Sequence, residues 1–178
     1  MPVHATPPIA LRVEAPAWRR ALPGAPALAR RAARAALAAA EVEPNPPGGG
    51  VCIVLADDQL QRRLNREFRG RDKPTNVLSF EGAPEALGDV VLALETIAAE
   101  AETQGKALPD HFAHLVVHGV LHLMGYDHER PGQARRMERL EIEILARLGI
   151  ADPYRLPMPR RAARASPGRS KGRPKGPS

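Results

Sequence analysis

Aromatic residues and cysteine are scarce in this chain. Phe, Trp and Tyr make up 3% of the 178 residues, so aliphatic side chains must fill any hydrophobic core. The single cysteine, Cys52, excludes an internal disulfide and a CxxC zinc site. We interpret it as a small hydrophobic residue on a buried strand. The length suits one domain with a substantial core.

Long apolar segments are lacking too. No run approaches the ~20 apolar residues that a membrane helix needs. The first residues also lack the cationic and apolar regions of a secretory signal. We therefore predict a cytoplasmic protein that makes no membrane contact.

Acidic residues are absent from the C-terminal segment. The net charge of the chain is +6, but residues 155–178 contain eight Arg and Lys, so residues 1–154 carry a net charge of −2. Almost no large apolar side chains occur in this segment, so burial cannot offset the entropy lost on ordering it. We predict a single domain over residues 1–154 and a disordered basic tail over residues 155–178. The tail is either an arm that attracts RNA or a solubilising extension.

Hydrophobic patterning predicts strands and helices in the order β α β α β β α α α. This order fits an α/β (α+β) fold in which a small mixed sheet of about four strands is packed with helices. The helix after Asp57 is expected to pack through Leu60, Leu64 and Phe68, and residues 82–88 are expected to form a loop. Strands are predicted at 9–15, 51–57, 76–81 and 89–95, and helices at 25–41, 58–69, 96–105, 109–124 and 132–148.

Histidines are concentrated in the segment HLVVHGVLHLMGYDH, residues 114–128. On a helix, His111, His114, His118 and His122 share one stripe about 80° wide, and apolar residues cover the other sides. A helix that is apolar on nearly all sides is buried. Buried imidazoles need polar partners, and a metal ion satisfies several of them together.

The spacing of three histidines matches a metal site. His118 and His122 are one helical turn apart, and Gly125 permits a sharp reversal that brings His128 back to the same ion. The frame H-x-x-x-H-x-x-G-x-x-H is that of the metzincin proteases, and three ligands leave a position open for water, as in catalytic sites. We interpret His114 as a supporting or core histidine. Asp127 is either a partner of the ligands or a turn residue.

Gly119 follows the first of these ligands. In H-E-x-x-H proteases this position holds the glutamate that acts as general base. Glycine has no side chain to perform that role, which argues against peptide hydrolysis by the metzincin route.

Basic residues cluster in RRLNREFRGRDKPTNVLSF, residues 62–80. Arg62, Arg63 and Arg66 fit a solvated helix face. Arg69 differs, because it lies beside Gly70 just before the chain re-enters the sheet, where side chains tend to face a site. Its planar guanidinium suits phosphate oxygens.

Four segments together resemble a known family: LNREFRGRDKPTNVLSF, LGDVVLAL, HLVVHGVLHLMGYDH and LGIADPY. They are similar to the YbeY family of bacterial endoribonucleases, also called ribosomal RNA maturation factors, over residues 51–154. Many members have Asp where this chain has Asn76.

The resemblance implies a zinc-dependent enzyme that cuts single-stranded RNA. It also implies a part in maturing the 3′ end of small-subunit ribosomal RNA and in ribosome quality control, with the small ribosomal subunit and the Era GTPase as partners. By position it makes His118, His122 and His128 the metal ligands and Arg69 the functional arginine.

Two other functions remain open from the residues alone. The first is a metzincin-like metalloprotease, and the second is a non-catalytic RNA chaperone or ribosome assembly factor with a structural metal. Neutral imidazoles also suit nickel, copper and iron, so zinc rests on the resemblance.

Overall fold

The computed structural model describes residues 7–40 and 48–155. The predicted tail, apart from Arg155, lies outside the described residues. Within them, four strands and six helices follow one another along the chain in this order: β1 (Ile9–Val13), α1 (Trp18–Ala21), α2 (Ala25–Ala39), β2 (Gly50–Ala56), α3 (Asp58–Arg69), β3 (Val77–Glu81), β4 (Ala86–Ala93), α4 (Leu94–Thr103), α5 (Leu108–Leu123) and α6 (Pro131–Arg147).

The four strands form one mixed sheet in the order β1-β2-β4-β3. β1 and β4 pair with β2 in parallel, and β3 runs antiparallel to β4 with Ser79 opposite Val90. The predicted mixed sheet of about four strands packed with helices is therefore confirmed. β3 lies at an edge of the sheet.

Helices cover both faces of the sheet. Alternate residues of the central strands, such as Ile53, Leu55 and Val90, enter the main core with α2, α5 and α6. The intervening residues Val54 and Val91 face the opposite way, where α3 packs on them. The two central strands are buried on both faces, as the continuous apolar run of β2 predicted. Cys52 on β2 is half-buried, and burial raises the pKa of its thiol.

Helix α3 packs on the sheet through Leu60 and Leu64, as predicted, but not through Phe68. Phe68 is 59% exposed, whereas Gln61 and Asn65 are buried. Both amides find main-chain acceptors, because Gln61 Nε2 donates to Val91 O at 3.2 Å and Asn65 Nδ2 donates to Lys73 O at 2.7 Å. A buried amide that makes such a bond loses its burial penalty. Hydrophobicity alone therefore did not predict that Gln61 and Asn65 are buried and that Phe68 is exposed.

β4 starts earlier than the sequence predicted. Residues 86–88 pair in the sheet instead of forming part of a loop. Gly88 has a φ of +142°, and a Cβ at this position would lie 2.1 Å from Phe80 O. The glycine that suggested a loop is instead required by the close approach of two strands.

Helix α1 was not predicted, because it is only four residues long. It buries Trp18, whose Nε1 donates to Ala56 O at 2.8 Å and whose ring packs on Phe112 with centroids 5.1 Å apart. None of the helices in the described residues has the length and hydrophobicity needed to cross a membrane.

Candidate metal centre

Helix α5 presents two histidines from one side of a buried helix. Pro109 lies in the first turn of α5, where the backbone N–H has no partner within the helix, so proline loses no hydrogen bond there. The apolar residues of α5 pack in the main core. His118 and His122 are half-buried on the remaining side, one turn apart. Their Nε2 atoms lie 3.1 Å from each other, so both rings offer a nitrogen to one point.

The chain reverses after α5 and brings a third histidine to that point. Gly125 has a φ of +88°, in the left-handed region that favours glycine. His128 returns with its ring centroid 4.9 Å from that of His122 and 5.7 Å from that of His118. Asp127 Oδ1 accepts from the His128 N–H at 2.6 Å and from the Glu129 N–H at 3.2 Å, which makes Asp127 a turn residue.

The donor set of these three residues fits a transition metal. His118, His122 and His128 each offer one ring nitrogen, and these atoms all lie within 4.8 Å of one another. Imidazole nitrogens are suitable ligands for zinc, copper, iron and nickel. Three ligands on one side leave room for a substrate group on the other.

A buried carboxylate holds the first of these histidines, and sequence patterning missed it. Glu141 on α6 is 1% exposed at its side chain, and its Oε1 lies 2.6 Å from His118 Nδ1. This contact fixes Nδ1 as the donor to the carboxylate and leaves Nε2 free as a ligand. The 2.6 Å distance between His118 Nδ1 and Glu141 Oε1 is that of a hydrogen bond.

Glu141 could have been found from the spacing of α6. It lies at the same helical face as Met137, Leu140 and Ile144, which are buried in the core. An acidic residue inside a predicted apolar stripe needs a partner. The Tyr154 hydroxyl donates to its Oε2, so both carboxylate oxygens are hydrogen-bonded.

The protonation states suit metal binding. Burial alone would raise the pKa of Glu141, but the adjacent His114 and His118 rings outweigh it and lower that pKa to about 2. Burial, together with the neighbouring His118 and His128 rings, lowers the pKa of His122 to about 4. An ionised carboxylate and a neutral imidazole are the forms that a metal site requires.

The two remaining histidines of the stripe lie outside the group of three. His114 Nε2 is 3.5 Å from Glu141 Oε2, an ion-pair distance without a hydrogen bond. His111 Nε2 contacts Glu100 Oε2 at 2.8 Å. His114 therefore flanks Glu141, and its interpretation as a supporting histidine stays a prediction.

Arg69 is not in contact with the three histidines but is linked to their helix. It is the last residue of α3, it is exposed, and its Nη2 donates to Ser79 O at 3.1 Å on β3. The hydroxyl of the same Ser79 donates to Gly119 O at 3.0 Å. One residue of the edge strand thus joins the arginine to the helical turn that carries His118.

Gly119 faces the sheet. A Cβ at this position would lie 2.5 Å from Val90 Cγ1, 3.2 Å from Ser79 Oγ and 3.3 Å from Val77 Cγ2. The close packing of α5 on β3 and β4 therefore requires glycine here. A glutamate in its place would have to enter this packed interface.

Comparisons with known proteins agree on one family. Residues 24–149 match the family model described as Endoribonuclease YbeY. A protein of that name from Paramagnetospirillum magneticum is 54% identical over 159 residues, which covers 82% of this chain and 94% of that protein. The protein of the same name from Azorhizobium caulinodans is 53% identical over 152 residues, with the same two coverages.

A solved structure is also similar in part. The solution structure of TM1509 from Thermotoga maritima gives a TM-score of 0.49 at 20% identity, and the match covers 83% of this chain and 99% of that one. The sequence relatives are closer and cover nearly their whole lengths. The resemblance seen in the four sequence motifs is thereby confirmed, and this chain belongs to the YbeY endoribonuclease family.

Proposed function

We propose that this chain is a zinc-dependent endoribonuclease that cuts single-stranded RNA. Its role would be to mature the 3′ end of small-subunit ribosomal RNA in the cytoplasm and to act in ribosome quality control, in contact with the small ribosomal subunit and the Era GTPase. The family relationship supports the reaction. The observation that carries the metal chemistry is the group His118, His122 and His128, with its ring nitrogens within 4.8 Å of one another.

The residues around His118, His122 and His128 have different proposed roles in RNA cleavage. His118, His122 and His128 would hold the metal, which would supply Lewis acidity for phosphodiester hydrolysis. Glu141 and Tyr154 hold the His118 ring so that Nε2 faces outward. Arg69 uses one of its five N–H groups on Ser79 O and keeps the others for charge that develops on phosphate oxygens.

The packing of Gly119 bears on the protease alternative. A side chain at this position would point into the sheet, toward Val90. The general base of an H-E-x-x-H protease therefore has no counterpart here, and no substitution at residue 119 could supply one without disturbing the fold. With no base at residue 119, the proposed reaction would rely on a metal held by His118, His122 and His128 to lower the pKa of the attacking water.

Metal analysis combined with RNA cleavage tests this proposal. His122→Ala should lose both metal and cleavage. Arg69→Ala should keep the fold and the metal but lose cleavage by about 10²–10³-fold, the usual loss when one donor to a developing charge is removed. Arg63→Ala is the matched control, since Arg63 is exposed on α3, and it should cleave like the wild type.

The same experiment separates the alternatives. Cleavage by His122→Ala at the wild-type rate would contradict the proposal and identify a contaminating nuclease. A metal-bound wild type that anneals RNA strands without cutting them would favour the chaperone. Chelator-sensitive cleavage of casein with no effect on RNA would favour the metalloprotease.

A further inference from the structure

A cleft extends from the metal centre along the histidine stripe of α5. It has a volume of about 360 Å³, and its walls include His118 at one end and Asn76, Glu100 and His111 at the other. A second cavity of about 520 Å³ shares His111 and His114 with it and continues the cleft away from the metal centre. Both volumes fall in the range of about 300–1,000 Å³ that is typical of ligand pockets.

The far end of the cleft is rich in hydrogen-bond acceptors. Glu100 Oε2 accepts from His111 Nε2 at 2.8 Å, and Asn76 Nδ2 donates to the two Glu100 oxygens at 3.0 and 3.2 Å. A carboxylate has about four acceptor sites, so Glu100 keeps capacity for a further donor. Its side chain is 32% exposed, so a ligand can reach it.

His111 holds the Glu100 carboxylate in place from beneath the cleft. Its Nε2 carries the hydrogen that Glu100 accepts, so Nδ1 is the unprotonated nitrogen. The side chain is 5% exposed, and Nδ1 has no hydrogen-bond partner among the described residues. Because Nδ1 is buried, the partly exposed Glu100 carboxylate is the acceptor that a ligand in the cleft can reach.

An aromatic ring forms another wall of the cleft. Tyr154 is 48% exposed although its hydroxyl is engaged by Glu141. Lys106 also lines the cleft, but its Nζ already donates to Pro153 O at 2.6 Å. The cleft therefore offers a ring face and carboxylate oxygens, beside a Lys106 ammonium that is held by the Pro153 carbonyl.

These features match a nucleobase and not a phosphate. A phosphate brings acceptors only and would be repelled by the Glu100 carboxylate. A base can stack on an exposed aromatic ring and can donate from an exocyclic amino group to a carboxylate, as cytosine N4 does to glutamate. We propose that this cleft binds a base of the RNA strand next to the metal centre and selects bases that carry an exocyclic amino group. This rests on the proposed function.

Binding of two matched hexamers tests the selection. Cytosine and uracil have the same size, but only cytosine carries the amino group. The wild-type protein should bind hexacytidylate about tenfold more tightly than hexauridylate in a fluorescence competition assay. In Glu100→Gln, where an acceptor becomes a donor, the ratio should fall below twofold. Glu102→Gln, the same change at an exposed position of α4, should keep the wild-type ratio.

A second probe needs no mutation. Hexamers in which a hydrogen replaces the cytosine amino group should bind to the wild type as weakly as hexauridylate does. Equal binding of all hexamers, or an unchanged ratio in a folded Glu100→Gln, would overturn the pocket. Equal binding together with RNA cleavage would leave the proposed function intact, whereas selective binding without cleavage would support the pocket and contradict that function.

Discussion

Replacing Gly119 by alanine tests why glycine follows the first ligand. Helix propensity alone predicts that Gly→Ala inside a helix stabilises a protein by about 1 kcal/mol. At Gly119 the added Cβ would lie 2.5 Å from Val90 Cγ1, on a valine that is fully buried in the sheet. Forcing an extra methyl group into a packed core costs about 1–3 kcal/mol. The net effect should be a loss of up to about 2 kcal/mol.

A second glycine provides the matched control. Gly132 lies in the first turn of α6, and a Cβ there would meet nothing within 4 Å. Gly132→Ala should therefore leave the free energy of unfolding unchanged or raise it. The difference in unfolding free energy between the two variants, measured by urea denaturation, should be about 1–3 kcal/mol.

A double variant decides whether the contact with Val90 is the cause. Adding Val90→Ala removes Cγ1, so the cost of Gly119→Ala should shrink in that background, with a coupling of about 0.5–3 kcal/mol. If Gly119→Ala proves as stable as Gly132→Ala, the packing argument is wrong, and the absence of a catalytic base again becomes the reason for the glycine.

Three further predictions concern a hydrogen bond of the site, the pKa of His122 and a hydrogen bond of the core. Tyr154→Phe removes the hydroxyl that holds Glu141, so zinc affinity measured by competition with a chromophoric chelator should fall about 10-fold or more; unchanged affinity would exclude Tyr154 from the support of His118. The folded-state pKa of His122, about 4, lies below its unfolded value of 6.5. As the pH falls, the unfolded chain therefore takes up a proton before the folded chain does. The metal-free protein should lose stability as the pH falls from 6.5 to 4. The urea midpoint should follow pH less steeply in His122→Gln, and parallel profiles would contradict this. Trp18→Phe leaves the buried Ala56 carbonyl without its donor and should cost about 1–3 kcal/mol of stability by circular dichroism, whereas a cost below that range would mean that water replaces the indole.

The sequence predicted that His118, His122 and His128 come together because helical periodicity is local. His118 and His122 are one turn apart in any helix, and Gly125 signals the reversal that returns His128. Glu141 lies 23 residues from its partner His118. Its role depends on how α6 packs against α5, which no local pattern contains.

Side-chain hydrogen bonds explain why the burial of some α3 residues was predicted wrongly. Gln61 and Asn65 are polar by composition but become buried because each amide finds a main-chain carbonyl. Phe68 is apolar and was expected inside, yet it rests at the sheet margin against Phe80, with ring centroids 5.2 Å apart. A periodicity argument uses only the hydrophobicity of each residue. It cannot predict which polar side chains will find hydrogen-bond partners in the folded protein.

The chain of contacts from Tyr154 through Glu141 to His118 has a consequence for biosynthesis. The three histidines leave the ribosome well before the residue whose hydroxyl completes the support of the first one. A nascent chain that ends at residue 128 contains all three histidines but lacks the Glu141 carboxylate that contacts His118. In the order of synthesis, Tyr154 is therefore the last residue of this chain of contacts to be made, after the three histidines and Glu141.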